Sequence, residues 1–374
     1  MQVFYRDETL PGFGLRVSSG GTKSFIVEKR IKRKVKRFTI GKYGAITPEQ
    51  ARVKAAEMIG DITLGIDLDE QKQNEEALGV TLNQAFESYL LTRKSLKPST
   101  RKNYTDCIDR YLPDWTGKRL IDITKDMVEK RHREIGTKTE SKANNTMRVL
   151  RAIFNHAMEK YENSKGHPII VVNPVDRLSK TRAWYKDKRR KDHLKPHQLK
   201  AWYDATNQLQ NTVSRDCLQL ILFTGLRKNE ALTLKWSDID FEDKTLTVRD
   251  TKNSEPHTLP LTDFLLSLLK ERNVGNNSEW VFPGPKPEFH LKEPRTAIDR
   301  VVDICGIEFT LHDLRRTFIT IAESLEISAY SLKRLANHKT NDITGSYIIS
   351  GVERLRKPME EISQFLIHKI SHKD

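Results

Sequence analysis

The alternation of apolar and polar residues near the start of the chain predicts three short strands, over Gly14–Val17, Ser24–Glu28 and Val35–Ile40. Serine and glycine at Ser18–Gly21 supply the first turn, and the basic run around Arg33 supplies the second. We therefore expect the chain to begin with a small, twisted antiparallel sheet of three strands.

A helical pattern follows the sheet. Thr47 is a typical N-cap, Pro48 suits the first helical position and Gln50 completes a capping box, so a helix should run to about Leu64. The next stretch, Asp67–Leu78, is acidic and polar. It differs in pattern from both of its neighbours, which favours a linker over the alternative of a helical extension.

The block from Val80 to Val175 reads as mostly helical and basic. An amphipathic stripe begins at Leu82, Pro98 opens a second helix, and Asn145–Met158 forms a third. The pattern then ends at Asn173-Pro174 and in the charged segment Ser179–Lys195, which predicts a second linker that is exposed and basic.

A globular pattern resumes at Pro196. Helices are predicted over His197–Ala205 and Cys217–Phe223, followed by strands over Thr245–Val248 and Thr258–Leu261. The remainder of the chain is predicted to be mainly helical.

Composition adds a strong positive charge to this picture. The 374 residues include 65 Lys and Arg against 50 Asp and Glu, a formal net charge of +15, and the length suits two or three domains. Because most of this excess must lie on accessible surface, a polyanion is the natural partner, with solubility as the alternative explanation of the charge.

The charge is densest between Lys29 and Arg37, where seven of nine residues are cationic. One interpretation is a hairpin edge that charge protects from aggregation, and the other is a strand laid on nucleic-acid phosphates. The candidate DNA-binding residues are Lys29, Arg30, Lys32, Arg33, Lys34, Lys36 and Arg37.

Membrane and disulfide-rich classes are not indicated. No uninterrupted apolar window of roughly eighteen residues occurs, and charged residues follow Met1 closely, so we expect a soluble, cytoplasmic protein. The cysteines at Cys107, Cys217 and Cys305 are far apart, which argues against a disulfide framework or a zinc site.

Candidate chemistry gathers between Phe309 and Ser350. His312 and Arg315 are three residues apart and would share a helix face, and His338 and Tyr347 follow. Several cationic or hydrogen-bonding groups beside a phenol suit a phosphodiester substrate.

A metal site is the weaker interpretation of the same stretch. Metal-binding histidines are usually set among carboxylates or cysteines at ligand spacing, and only Asp313 and Asp342 lie near these histidines.

Two further candidates lie upstream. Gly225 breaks an apolar helix and would place Arg227 at the start of the next helix, while Lys252 lies in the turn between two predicted strands. Taken singly, each candidate has an ordinary structural explanation, such as capping, solvation or core packing. Their ordered combination within one domain favours a shared site.

In this order the residues resemble the tyrosine recombinases, including the phage-type integrases. That family has an arginine in a Thr-Gly-Leu-Arg turn, a hairpin lysine, His-x-x-Arg, a second histidine, and a tyrosine nine residues later. This chain matches the pattern at Arg227, Lys252, His312, Arg315, His338 and Tyr347. Upstream, GFGLRV, FTIGKYGAITPEQAR and the helical block look like the arm-binding and core-binding domains of integrases carried by genomic islands and temperate phages.

The chain departs from the family pattern in two places. Ala336-Asn337 precede His338 where many members have Leu-Gly, which puts the approach of the histidine to the phosphate in question. Tyr5-Arg6-Asp7 falls where relatives have more residues before it, so part of the first domain is expected to be absent.

The resemblance implies a multidomain, mainly α fold with small β-sheets. Residues 1–66 would form a three-stranded arm-binding domain, residues 80–176 a helical core-binding domain, and residues 193–374 an α+β catalytic domain with a C-terminal tail. The implied function is site-specific recombination through a 3′-phosphotyrosyl intermediate, which integrates and excises a mobile element. The implied partners are double-stranded DNA attachment sites, a homotetramer on that DNA, and accessory DNA-bending and directionality proteins; no cofactor, metal or membrane is implied.

The chemistry of the reaction suits these residue types. Arg227 and Arg315 would bind the nonbridging oxygens of a phosphorane, with Glu230 orienting a cation. Tyr347 would be the nucleophile, His312 its proton acceptor, His338 a hydrogen-bond donor to the phosphate and Lys252 the general acid for the departing 5′ oxygen.

Two other functions share part of this pattern. A type IB topoisomerase uses similar chemistry, but the arm-like domain and the Thr-Gly-Leu-Arg context argue against it. The other is a DNA-binding regulator of the same fold that has lost cleavage, and the intact set of six residues argues against it.

The C-terminal tail carries an apolar stripe. Met359, Ile362, Leu366 and Ile370 recur at three- and four-residue steps on a helix predicted to begin near Pro358. The stripe either packs on its own catalytic domain or docks in a groove on the next protomer, which would couple Tyr347 to assembly.

Overall fold

The computed structural model describes residues 2–31, 34–66, 68, 72, 75, 77–163, 166–186, 191–249, 256–338 and 351–371. Lys32, Arg33, Lys252 and Tyr347, singled out above, lie outside the described residues. The chain forms two compact units, residues 1–188 and residues 189–374. Both the mainly helical character and the presence of small sheets are confirmed. The division into domains at 1–66, 80–176 and 193–374 stays a prediction.

The N-terminal sheet has four antiparallel strands in chain order, so the prediction of three strands is wrong. They are β1 (Val3–Arg6), β2 (Phe13–Val17), β3 (Lys23–Ile31) and β4 (Lys34–Lys42). The unpredicted strand is β1, which pairs along β2 at the edge of the sheet. Its residues are largely exposed, so β1 lacks the buried face that produces a readable alternation.

Helix α1 (Pro48–Thr63) covers one side of this sheet. Its capping box, in which Thr47 and Gln50 exchange side-chain and backbone hydrogen bonds, is present as predicted. Ala51 and Ala55 are fully buried against Phe25 and Val27 of β3 and form a small core with Phe13. Small side chains on the helix permit this close approach to the sheet.

A separate core lies within the helices that follow. These helices are α2 (Leu82–Thr92), α3 (Pro98–Tyr111), α4 (Lys125–Gly136), α5 (Glu140–Lys160) and α6 (Asp176–Lys180). Pro98 opens α3 as predicted, whereas α4 was not predicted individually, because its buried face contains a histidine as well as apolar residues. The core of this region is centred on α5.

The prediction that the segment Ser179–Lys195 is an exposed linker is wrong for residues 183–185, which are half-buried, and for Leu194, which is buried. Trp184 and Tyr185 pack against the helical core. Buried Asn144 fixes this segment: its Nδ2 donates to the Tyr185 carbonyl at 2.9 Å, and its Oδ1 contacts His132 Nε2 at 3.0 Å. Because most residues of the segment are charged, its composition did not indicate that Trp184 and Tyr185 would pack against the core.

The second unit is mainly helical around one large core and contains a three-stranded antiparallel sheet. Its elements are α7 (Leu199–Asn207), α8 (Thr212–Thr224), α9 (Lys228–Leu232), β5 (Ile239–Asp240), β6 (Thr245–Val248), β7 (His257–Pro260), α10 (Asp263–Asn273), α11 (Arg295–Cys305), α12 (Leu311–Ser324), α13 (Ala329–Leu335) and α14 (Glu353–Ser371). The sequence predicted β6 and β7 closely but missed β5, which has only two residues. In the described part of the chain, no helix combines the length and apolar character needed to cross a membrane.

The last helix differs from its prediction at its start. Helix α14 begins at Glu353, so Pro358 lies inside it rather than at its first position. A proline there removes a helical hydrogen bond, but Leu355 anchors the preceding turn in the core. The apolar stripe from Met359 to Ile370 is buried in the same unit, as one of the two interpretations predicted. In this structure of the single chain, the stripe thus packs on its own unit.

Candidate active site

The corner between α8 and α9 places the first candidate residue. Helix α8 is buried from Asp216 to its end and is followed by Gly225, whose φ of 65° lies in the left-handed region. A Cβ atom on Gly225 would lie 2.5 Å from Cδ1 of Phe318, so glycine also permits α12 to pack closely here. The chain then turns at once into α9, with Arg227 as its N-cap residue.

Arg227 is held from two sides. Its Nη1 donates to Oε1 of Glu230 at 2.8 Å, and its Nη2 donates to the carbonyl of Asn337 at 2.9 Å. The other Glu230 oxygen accepts the backbone N–H of Arg227 at 3.0 Å. The Glu230 side chain is only 4% exposed, whereas that of Arg227 is 25% exposed. Glu230 therefore orients Arg227, as predicted, and leaves part of its guanidinium open to solvent.

The start of α12 places the next two candidates. Thr310 and Asp313 form a capping box, and Asp313 also pairs with Arg316 at 2.8 Å. His312 lies in the first turn, where part of its surface is exposed and part is buried against neighbouring residues. Arg315, three residues later, is buried. Of the two adjacent arginines, Arg316 is half-buried and pairs with the buried Asp313 carboxylate, whereas Arg315 is itself buried.

The Arg315 side chain is bound by backbone carbonyls. Its Nη1 donates to the Gly225 carbonyl at 2.6 Å, and its Nη2 donates to the Ala336 carbonyl. Burial, reinforced by the charge of Arg227, lowers the pKa of Arg315 to about 10, so this arginine stays protonated at neutral pH. The Arg315 cation is buried, and its described side-chain hydrogen bonds end on neutral carbonyls. Binding of an anion beside it would therefore offset the cost of burying its charge.

The end of α13 organises both arginines. Ala336 and Asn337 follow the helix, and their adjacent carbonyls accept from Arg315 and Arg227 respectively. Asn337 has a φ of 45°, in the left-handed region where asparagine is the best substitute for glycine. This explains the departure from Leu-Gly: Asn337 keeps the backbone turn that places His338 directly after the helix end.

The two histidines share the positive field of the arginines. Burial lowers the pKa of His338, and the charges of Arg315 and Arg227 lower it further. Burial is also the main cause of the lowered pKa of His312, with Arg316 and Arg315 contributing next. Both rings are therefore neutral near pH 7, the form in which an imidazole can accept a proton.

The structure thus brings together four of the six candidates, namely Arg227, His312, Arg315 and His338. The other two, Lys252 and Tyr347, lie outside the described residues. The strands on either side of Lys252 pair as far as Val248 opposite His257.

Sequence reasoning missed His257, which is the first residue of β7. Its side chain is buried beside the site, and its Nε2 lies 3.2 Å from the Leu335 carbonyl. The available signal was the position of His257, which shares a strand face with the apolar Leu259.

The basic hairpin lies in the first unit, on β3 and β4. Lys29 is opposite Lys36 and Ile31 is opposite Lys34, so three lysines share one face of the hairpin. Arg37 pairs with Glu28 and stacks over the Phe4 ring at 4.6 Å. Like charges placed opposite each other cost stability unless an anion neutralises them.

Comparison with known proteins identifies domains in both units. Residues 192–354 match the phage integrase family, and residues 4–75 match an arm DNA-binding domain. All six candidate catalytic residues fall in the first range, and the seven candidate DNA-binding residues fall in the second.

Relatives and solved structures match nearly the whole chain. The prophage integrase IntF of Escherichia coli strain K12 is 25% identical over 415 residues, covering 98% of this chain and 87% of the relative. A lambda integrase dimer bound to a COC′ core site has a TM-score of 0.56 and 22% identity, over 91% of this chain and 95% of that chain. A lambda integrase tetramer bound to a Holliday junction has a TM-score of 0.56 and 23% identity, over 90% of this chain and 98% of that chain. At these identities, the two structures support the fold.

Proposed function

Because this chain belongs to the phage integrase family of tyrosine recombinases, we propose that it is a site-specific recombinase that integrates and excises a mobile element. It cleaves and rejoins DNA strands through a 3′-phosphotyrosyl intermediate. The observation that carries this proposal is the convergence of Arg227, Arg315, His312 and His338 around the end of α13.

The two arginines stabilise the transition state. Attack on a phosphodiester creates a pentacoordinate phosphorane with added negative charge on its nonbridging oxygens. Each guanidinium has five N–H donors, and two of them on each arginine reach the partners described above. The remaining donors of Arg227 and Arg315 bind the phosphate oxygens in a fork whose geometry is fixed before DNA arrives.

Proton transfers are divided among three side chains. Tyr347 is the nucleophile, and since a phenol has a pKa of about 10, neutral His312 takes its proton while the arginines favour the phenolate. His338 donates a hydrogen bond to the phosphate. Lys252 protonates the 5′ oxygen as it leaves.

Each step exchanges one phosphate ester for another, so strand exchange is reversible. One phosphodiester is replaced by one phosphotyrosyl ester, and a 5′ hydroxyl is released. A 5′ hydroxyl from another strand then attacks the phosphotyrosyl ester, which restores a phosphodiester and the free tyrosine. The energy of the original bond is retained, so joining requires no ATP.

The remaining assignments concern DNA and assembly. The shared lysine face of the hairpin, formed by Lys29, Lys34 and Lys36, binds the backbone of arm-type sites. Arg30, Lys32, Arg33 and Arg37 complete the proposed set of DNA-binding residues. The enzyme acts on double-stranded attachment sites in the cytoplasm as a homotetramer, with accessory DNA-bending and directionality proteins. The tetramer on a Holliday junction formed by lambda integrase supports this assembly.

A direct test is incubation of the full-length protein with a DNA fragment spanning the ends of its source element, followed by denaturing electrophoresis. We expect a covalent protein–DNA adduct whose yield is unchanged by EDTA. Binding without an adduct would indicate a regulator that has lost cleavage. Cleavage that is lost in EDTA and restored by magnesium would indicate a metal nuclease.

The hairpin assignment has its own test, the triple substitution of Lys29, Lys34 and Lys36 by glutamine. Losing three phosphate contacts should make the negative slope of log affinity against log salt shallower by about 3 on arm DNA. Core-site DNA serves as the internal control, since its affinity should not change. Equal losses on both DNAs would contradict the assignment.

A further inference from the structure

The buried ring of His257 contacts the helix end that organises the site. Its Nε2 lies 3.2 Å from the carbonyl oxygen of Leu335, the last residue of α13. A carbonyl can only accept a hydrogen bond, so Nε2 carries the proton and donates it. The residue is 9% exposed, and the contact joins two elements that are far apart in sequence.

The Leu335 carbonyl is the first of three consecutive carbonyls that hold the site together. The next two, of Ala336 and Asn337, accept from Arg315 and Arg227. We name residues 335–337 the α13 turn. His257 on β7, Arg315 on α12 and Arg227 at the N-cap of α9 therefore donate to three successive peptide groups. Any shift of this turn moves the carbonyl oxygens that hold both guanidinium groups.

The charge surroundings suit a neutral ring at position 257. Burial lowers the pKa of His257, the Leu335 bond and Glu230 oppose this effect, and Arg315 and Arg227 reinforce it. A protonated ring would add a third cation beside the two arginines. Neutral histidine provides a donor to the turn without competing with them for the phosphate.

We propose that His257 is a positioning residue for strand cleavage, which fixes the α13 turn and, through it, Arg227, Arg315 and His338. The proposal rests on the function proposed above. His257 acts through the turn and does not itself contact the reacting phosphate. The predicted loss on its substitution is therefore in the rate of cleavage rather than in DNA affinity.

Three full-length variants separate this role from general stability. His257→Leu removes the donor and keeps an apolar side chain, whereas His257→Gln keeps an amide N–H near the position of Nε2. The matched control is His290→Leu in the same unit, because the His290 ring also contacts a backbone carbonyl, that of Leu291 at 2.8 Å, and packs on Trp280.

The readout is the single-turnover rate of adduct formation at saturating DNA, with affinity measured separately and each melting temperature checked. His257→Leu should slow cleavage by about 10- to 100-fold, the range expected for misplaced catalytic groups. Its DNA affinity should be unchanged. His257→Gln should recover most of the rate, and His290→Leu should cleave normally.

A modified substrate then identifies the groups through which His257 acts. Once the wild-type protein has located the scissile phosphate, a methylphosphonate placed there removes one negative charge and lessens the need for the arginines. The ratio of wild-type to His257→Leu rates should shrink on this substrate. It should stay the same when sulfur replaces the bridging 5′ oxygen, because that change relieves only the need for a general acid.

Several outcomes would overturn the proposal. A normal rate for His257→Leu, or no recovery in His257→Gln, would remove the positioning role. An undiminished ratio on methylphosphonate would indicate a purely structural histidine, and a defect cured by sulfur would assign the effect to the hairpin lysine. If the wild-type protein forms no adduct, the proposed function itself fails and this proposal falls with it.

Discussion

Replacing Gly225 by alanine should damage the stability of the second unit and its chemistry together. The new Cβ would meet Phe318, which is fully buried and has little room to move. The backbone would also be strained, since Gly225 has a φ of 65°. Any relief of this clash displaces the Gly225 carbonyl, which accepts from Nη1 of Arg315.

The cost can be estimated from two contributions. An L-residue in the left-handed region costs roughly 1–2 kcal/mol, and overpacking a buried site costs about 1–3 kcal/mol. The sum is about 2–5 kcal/mol. Gly306→Ala is the matched control: Gly306 also ends a helix, with a φ of 71°, but a Cβ there meets no atom within 4 Å. The control should therefore lose only the strain, roughly 1–2 kcal/mol.

Hydrogen exchange in urea of peptides from α8, residues 212–224, would report the stability of this unit in both variants. Adduct formation would report the chemistry, and we expect Gly225→Ala to be slowed by about 100-fold while Gly306→Ala cleaves at the normal rate. If the two variants lose equal stability, the Phe318 contact is not the limiting feature. If Gly225→Ala cleaves normally, the Gly225 carbonyl does not position Arg315.

Three further predictions concern the candidate site. Asn337→Gly should keep the rate and stability, whereas Asn337→Ala should lose roughly 1 kcal/mol in urea unfolding; equal stability of the two would contradict the role of the left-handed turn. Lys252→Ala should slow cleavage strongly on ordinary DNA but little when sulfur replaces the bridging 5′ oxygen, and equal slowing on both would reject the general acid. Because burial lowers the pKa of His312, its neutral form persists below the ordinary range, so the rate should hold from about pH 8 to about pH 6.5 and fall on further acidification. A fall already above neutrality would assign the base elsewhere.

The sequence predicted those elements whose ends and faces carry local signals. Thr47 and Pro48 marked the start of α1, and Pro98 marked that of α3. Strand β1 was missed because its exposed residues carry no alternation. The preference of proline for the first helical position predicted that α14 begins near Pro358, which is wrong. The helix begins five residues earlier, at Glu353, because Leu355 is buried in the core and stabilises the turn before the proline.

The candidate site was predictable as a set of residues but not as a geometry. Linear order was enough to select Arg227, Arg315 and both histidines. The bonds that hold the arginines reach carbonyls 110 and 21 residues away in sequence, and no local pattern encodes such pairs. His257 was missed for the same reason, since its partner carbonyl is 78 residues away.

The central claim is that Tyr347 forms a covalent bond to DNA within this site. Its most direct test is mass spectrometry of the peptide that stays attached to DNA after protease digestion of the adduct, compared between the wild-type protein and Tyr347→Phe. We predict that the 3′ phosphate is attached to Tyr347, and that Tyr347→Phe binds DNA normally yet forms no adduct. Attachment at another residue, or an adduct formed by Tyr347→Phe at the normal rate, would contradict the claim.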